Sequence, residues 1–238
     1  MEARITRREL IVAAGGLGFA NFMAPPRSGV CDDSTPAMTT QIAIARLKSG
    51  NRRFADGKPR HFRANRAWRE SLVSGQNPFA VILGCADSRV PIELVFDQGF
   101  GDLFVIRNAG NVVMEDVLGS IEYAVLHLHT KLVVVMGHDG CGAVTAALKS
   151  REERAKEPPE LQQVLNRIDP AIAHLDPQGK DVLAKGVEAN VRWSVKNMVR
   201  LKKQRNRAKD FTVAGAVYEL RSGRVRFLDE PQDENDKK

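Results

Sequence analysis

The chain has 238 residues, 43% of them hydrophobic, three cysteines, a formal net charge of +7 and a sequence pI of about 9.5. That length supports one core of roughly 200 residues once the ends are set aside, and three cysteines are too few for a disulfide framework. The positive balance does not mark a nucleic-acid binder. Only Lys202-Lys203-Gln204-Arg205-Asn206-Arg207 forms a basic run, and two Trp and two Tyr are too few for a base-stacking surface.

Residues 1–24 read as an export signal. Thr6-Arg7-Arg8-Glu9-Leu10-Ile11 carries a twin arginine with a hydrophobic residue two beyond it. The apolar run that follows, from Ile11 to Ala24, is interrupted by Gly15, Gly16, Gly18 and Asn21. It is too short and too weak for a membrane span and has the mild hydrophobicity of a twin-arginine leader. The expected location is therefore periplasmic or secreted. Residues 25–36 form a linker rich in Pro, Ser, Gly and Asp, and Cys31 within it is a spare thiol. The chain divides into signal and linker over 1–30, one folded domain over 31–228, and a disordered acidic tail over 229–238.

Residues 39–56 form an amphipathic helix with Ile42, Ala45, Leu47 and Phe54 toward one side. A second short helix covers 66–73, and Gly75-Gln76-Asn77-Pro78 makes a turn into a buried strand at 79–83. Pro91 opens a helix at its first position. A strand at 103–107 and a helix over 116–129 follow, the helix presenting Val117, Ile121, Ala124, Val125 and Leu128 on one face. A third strand at 132–136 leads through a loop into a helix over 142–149. Residues 151–178 are charged and proline-rich, with a short helix over 160–168. A long helix over 180–207 carries Val182, Val187, Val191, Val195, Met198 and Leu201 as its stripe, with Trp193 in the core. A strand at 211–218, a turn at Ser222-Gly223 and an edge strand at 225–228 close the domain. The fold class is α/β: a central, mostly parallel sheet of about five strands flanked by helices, with the last strand an antiparallel edge.

Two stretches carry the chemistry. Gly84-Cys85-Ala86-Asp87-Ser88-Arg89-Val90 follows the first strand, and Gly137-His138-Asp139-Gly140-Cys141-Gly142 follows the third. Ligands of open α/β sheets bind at the carboxyl ends of strands, so adjacent strands would bring Cys85, His138 and Cys141 to one place. Two thiolates and an imidazole suit zinc, with a fourth position left for water or a carboxylate. Gly140 and Gly142 let backbone N–H groups approach the Cys141 sulfur at a helix start. The histidines His61, His127, His129 and His174 have no ligand spacing of their own.

Cys85-Ala86-Asp87-Ser88-Arg89, then Leu103-Phe104-Val105-Ile106-Arg107-Asn108, then Gly137-His138-x-x-Cys141-Gly142, resemble the β-class carbonic anhydrases in order, spacing and strand context. The resemblance spans about Leu47 to Leu228 and implies a zinc enzyme interconverting CO2 and bicarbonate. Within it, Cys85, His138 and Cys141 bind one zinc per chain. Asp87 and Arg89 form the family's catalytic dyad, and Asp87 is placed to close the metal's fourth position. Gln76, Phe104 and Tyr123 match the substrate pocket of the plant-like branch. A dimer is implied as the minimal unit, homodimer or dimer of dimers, with Gln76 and the aromatic pair supplied by different subunits. Asn108-Ala109-Gly110-Asn111 departs from the family's commoner pattern, and neither it nor the 151–178 segment is expected to touch a ligand.

The residues also fix expectations about chemistry. Two thiolates offset the metal's charge, so activity should rise on the alkaline side of neutrality. Arg89 can hold Asp87 by a bidentate pair. The same site would also suit hydrolysis of CS2 or COS, and a site closed by Asp87 would be an inert structural zinc module or thiol sensor.

Overall fold

The computed structural model describes residues 38–60, 65–204 and 211–228. The expected leader, linker, Cys31 and acidic tail lie outside the described residues, as do His61 and Arg205 to Arg207. Among the described residues, no helix is long and apolar enough to cross a membrane.

The first helix, α1 (Thr40–Ala55), starts where the Thr39 hydroxyl accepts the Ile42 N–H, so an otherwise unpaired first-turn donor is satisfied. Its buried side is Ala43, Ile44, Leu47, Gly50 and Asn51, whereas Ile42 and Ala45, expected inside, are exposed. Close packing explains the rotation. A Cβ on Gly50 would lie 1.8 Å from the Phe96 carbonyl oxygen, so the helix turns its smallest residue to that backbone. Asn51 then ties three elements together. Its Nδ2 donates to the carbonyls of Val95 and Gly223, and its Oδ1 accepts the Val225 N–H. Gly50→Ala is expected to lower the unfolding free energy by about 3 kcal/mol, because backbone and not a flexible side chain must move. Chemical denaturation checks this, and an unchanged midpoint would contradict the packing described.

A short helix, α2 (Arg66–Ser71), is capped by Asn65 and followed by the first strand, β1 (Ala80–Cys85). Residues 75–78 run without turn structure, in place of the turn expected there. Next come α3 (Ile92–Val95), with Pro91 at its N-cap and not inside its first turn, β2 (Leu103–Asn108), a 3-10 turn at Ala109–Asn111, and α4 (Glu115–His127). Then follow β3 (Leu132–His138) and α5 (Gly142–Ala147).

The 151–178 segment, expected to hold one short helix over 160–168, holds two: α6 (Arg151–Arg154) and a longer α7 (Pro159–Ile172) that includes the expected one. α6 is held by a capping box between Ser150 and Glu153. α7 continues through Pro170 because Leu165, Ile168, Ala171 and Ile172 bury one face. Tertiary burial here outweighs the ladder bond that the proline cannot donate. The long helix α8 (Val182–Gln204) and the hairpin of β4 (Thr212–Tyr218) and β5 (Val225–Phe227) complete the domain.

The sheet order is β2-β1-β3-β4-β5, parallel except for the β4–β5 pair. β1 and β3 are buried along their whole length, which accounts for their continuous apolar runs. Alternation splits them between two cores. Val81, Leu83 and Cys85 face the layer of α4, α5, α7 and α8, and Ala80 and Ile82 face α1 and α3. α8 lies very close to β3: a Cβ on Gly137 would stand 2.7 Å from Val191 Cγ2.

Candidate metal centre

Cys85 is the last residue of β1 and His138 the last of β3, and these strands are neighbours in parallel register. His138 thus belongs to the strand and not to the loop after it. Cys141 is the N-cap of α5, reached through a turn in which Gly140 has φ +63°, a conformation that favours glycine. The ligand atoms of Cys85, His138 and Cys141 all lie within 4.8 Å of one another, and all three residues are buried. Asp87 is not part of that cluster.

The imidazole is oriented from behind. His138 Nδ1 is 2.8 Å from the Asp139 carbonyl oxygen, an acceptor only, so Nδ1 carries the proton and Nε2 keeps its lone pair for the cluster. Nε2 is buried and has no hydrogen-bond partner among the described residues. A buried, unpartnered imidazole nitrogen beside two thiols is the donor set of a zinc site, and the residues present fit that metal.

The electrostatics of the cluster follow from the closeness of its three side chains. The Cys85 thiol is held well below its ordinary pKa, first by its hydrogen bond with Cys141, with further contributions from His138 and the Gly110 N–H, against the cost of burial. The same contact pushes Cys141 up, and burial adds to it, so the pair gives up one proton readily and the second with difficulty. Burial opposes charge on His138, but the Cys85 sulfur beside it and the adjacent negative charge outweigh burial and raise its pKa. A divalent cation relieves all three at once.

Asp87 and Arg89 stand beside the cluster. The Arg89 guanidinium donates to both carboxylate oxygens, Nε to Oδ1 at 2.9 Å and Nη2 to Oδ2 at 2.7 Å, and the Arg89 backbone N–H also donates to Oδ1 at 2.9 Å. Arg89 Nη2 reaches the Gly140 carbonyl at 3.3 Å, which links the two loops. These bonds hold the Asp87 carboxyl far below the usual carboxylate range. Asp87 Oδ2 lies 3.8 Å from His138 Nε2, so the pinned carboxylate borders the cluster.

Two residues of the site were not singled out from sequence. Arg107 donates from Nε to the Cys85 carbonyl at 3.1 Å and from Nη2 to the Asp87 carbonyl at 2.7 Å, and so holds the shape of the first loop. The Gly110 N–H donates to Cys85 Sγ at 3.4 Å, so the 108–111 turn, expected to touch no ligand, does touch one. Ile168 of α7 in turn packs within contact distance of Gly110, and the 151–178 segment backs the site. The signal was present in the turn's Gly-Asn pair, whose φ values are +71° and +45°.

The expected pocket residues do not join the cluster within one chain. Gln76 is exposed and precedes β1, at the opposite end of that strand from Cys85, a separation of about 17 Å along β1 alone. Phe104 is in register with Val81, four residues before Cys85. Tyr123 is half exposed and packs on Phe104 with ring centroids 6.2 Å apart. The two aromatics meet beside the edge strand β2, Tyr123 half exposed and Phe104 partly buried against the core.

A family model described as carbonic anhydrase matches residues 80–225. Carbonic anhydrase 2 of Mycobacterium tuberculosis (strain H37Rv) is 50% identical over 126 residues, covering 53% of this chain and 61% of that protein. A carbonic anhydrase of Synechocystis is 29% identical over 200 residues, covering 78% and 71%. The matched region thus spans about three fifths of the length of the mycobacterial relative. Among solved structures, the β-carbonic anhydrase CcaA aligns with a TM-score of 0.60 at 29% identity, covering 78% of this chain and 95% of that one. A Coccomyxa β-carbonic anhydrase in complex with acetazolamide aligns with a TM-score of 0.61 at 28% identity, covering 79% and 87%. The family model takes in both metal loops and the four parallel strands, and the sheet with its antiparallel edge matches these solved folds, so the chain belongs to the β-class carbonic anhydrases.

Proposed function

We propose that this chain is a zinc-dependent carbonic anhydrase that interconverts CO2 and bicarbonate plus a proton, with Cys85, His138 and Cys141 holding one zinc. The observation that carries the reading is the bidentate Asp87–Arg89 pair beside a buried Cys2His cluster. A structural zinc site needs four protein ligands and has no use for a restrained carboxylate at its border. Zinc, when bound, supplies a Lewis acid that lowers the pKa of a water ligand from about 15.7 toward 7, less far where two thiolates offset its charge.

The chain's own residues divide the remaining work. Arg89 takes both Asp87 oxygens, which keeps the carboxylate out of the metal's fourth position. Asp87, ionised and acceptor-only, accepts a hydrogen bond from the attacking oxygen and turns its lone pair toward CO2. Asp139 steadies the second loop by accepting the Leu220 N–H at 2.8 Å.

Gln76, Phe104 and Tyr123 form the plant-like pocket across the subunit interface, Gln76 from one subunit as an amide donor to substrate oxygen and the aromatics from the other as an apolar wall. The functional unit is then a homodimer or dimer of dimers. Support comes from the half-buried side chains of the edge strand β2 and from exposed Ile42, Leu94, Phe100, Tyr123 and Leu126. A β-carbonic anhydrase of Sordaria macrospora, described as tetrameric, aligns with a TM-score of 0.59 at 25% identity, covering 80% of this chain and 98% of that one. Export by the twin-arginine route, which carries folded proteins, would let the metal load before the thiols meet an oxidising compartment.

Stopped-flow CO2 hydration tests the reading. Arg89 holds the Asp87 pKa far down, so Asp87 stays ionised from pH 6 to pH 9 and contributes no titration there. The rate is expected to climb from pH 7 to pH 9. A flat profile with intact protein, or turnover of CS2 or COS without CO2 hydration, would contradict it.

A further inference from the structure

We infer that Asn190, in the middle of α8, is a positioning residue for the metal centre: it anchors Gly110 so that the Gly110 N–H points at the Cys85 sulfur. The inference rests on the zinc reading of the cluster given above. Asn190 is 1% exposed, and its Nδ2 donates to the Gly110 carbonyl at 2.8 Å across 80 residues of sequence. The Gly110 N–H donates in turn to Cys85 Sγ. Gly110 alone therefore links α8 to a metal ligand, through its carbonyl on one side and its N–H on the other.

Gly110 needs such an anchor. It is a glycine because nothing else fits: φ is +71°, and a Cβ would stand 2.9 Å from Ile168 Cδ1 and 3.1 Å from Ala143 Cβ. A glycine's torsions are soft, so its own backbone does not fix where its N–H points. The Asn108 side chain braces the C-terminal flank by bonding both the N–H and the carbonyl of Val112. Asn190 fixes the Gly110 carbonyl, and with both sides held the N–H direction is set.

Stability alone does not account for an asparagine here. Its Oδ1 is buried without a partner among the described residues, which weakens the fold. A leucine of similar size would extend the apolar stripe of Val187, Val191 and Met198 and remove the unpartnered Oδ1, while leaving the Gly110 carbonyl without its donor. What leucine cannot do is donate a hydrogen bond. Residues behind the ligands set ligand orientation and metal affinity, typically by 10–100-fold.

Asn190→Leu separates the two roles. In the metal-free protein its thermal unfolding midpoint should stay close to that of the wild type, because loss of the unpartnered Oδ1 and added apolar packing offset the unpaired Gly110 carbonyl. Its zinc affinity, by chelator competition, should fall about 10–100-fold. The thiolate-to-metal charge-transfer band of its cobalt form should move to longer wavelength, because Cys85 Sγ loses a donor. Wild-type affinity and an unmoved band would overturn the inference. A measurement on the wild type guards against a variant that does not fold: with 113Cd in the site, the Gly110 amide should show scalar coupling to the metal through sulfur. Absence of that coupling in a cadmium-loaded protein would also overturn it. If the wild type takes up neither cobalt, cadmium nor zinc, the metal reading itself falls and this inference with it. Metal uptake without the Asn190 effects removes only the inference.

Discussion

Arg89→Ala is expected to lower CO2 hydration on the order of 10²-fold or more while zinc stays at one per chain. Three hydrogen bonds from Arg89 converge on Asp87, and the variant removes the two from the guanidinium, leaving only the backbone N–H on Oδ1. The freed Oδ2 already lies 3.8 Å from His138 Nε2. With a divalent cation held by the cluster, the strongest partner for an ionised carboxylate at that distance is the metal, and Asp87 would take the fourth position. Arg89→Lys should recover little, since an ammonium cannot make the planar two-point contact. Metal analysis and stopped-flow rates on the same preparations check this. Loss of zinc, or a wild-type rate in Arg89→Ala, would contradict the role given to the pair.

Cys85→Ser should be more severe: hydration near the buffer background, a fall of more than about 10³-fold, with zinc lost on dialysis. Serine keeps the size of the side chain but does not ionise near neutral pH, and the remaining Cys141 and His138 make an incomplete site. The fold should persist, because Cys85 ends a buried strand whose residues from Val81 to Gly84 are paired on both sides. Circular dichroism and bound zinc distinguish the outcomes. A variant that keeps stoichiometric zinc and a wild-type rate would show that Cys85 is not a ligand.

The sheet was legible because its central strands obey a simple rule. Phe79 to Leu83 and Leu132 to Met136 are continuous apolar runs, and a run buried on both faces reads as a parallel strand. The cluster was legible for the same reason, since Cys85 and His138 end neighbouring strands. The face of α1 was not, because its orientation is set by the approach of Gly50 to the Phe96 backbone, a contact between distant segments. The length of α7 was obscured by Pro170, whose local preference is overridden by burial of Ile168 and Ile172. Arg107, Gly110 and Asn190 act through hydrogen bonds that link the 108–111 turn, the first loop and α8. Such links leave no periodicity in sequence. Gln76, Phe104 and Tyr123 were found by resemblance alone, and one chain does not bring them to the metal loops.

The most direct measurement is a zinc titration of the metal-free protein, with the CO2 hydration rate and bound metal read at each step at pH 9. The rate should rise linearly with bound zinc and stop rising at one zinc per chain. Full occupancy at one zinc per chain with no rate above buffer would contradict the proposed function and leave a structural zinc site.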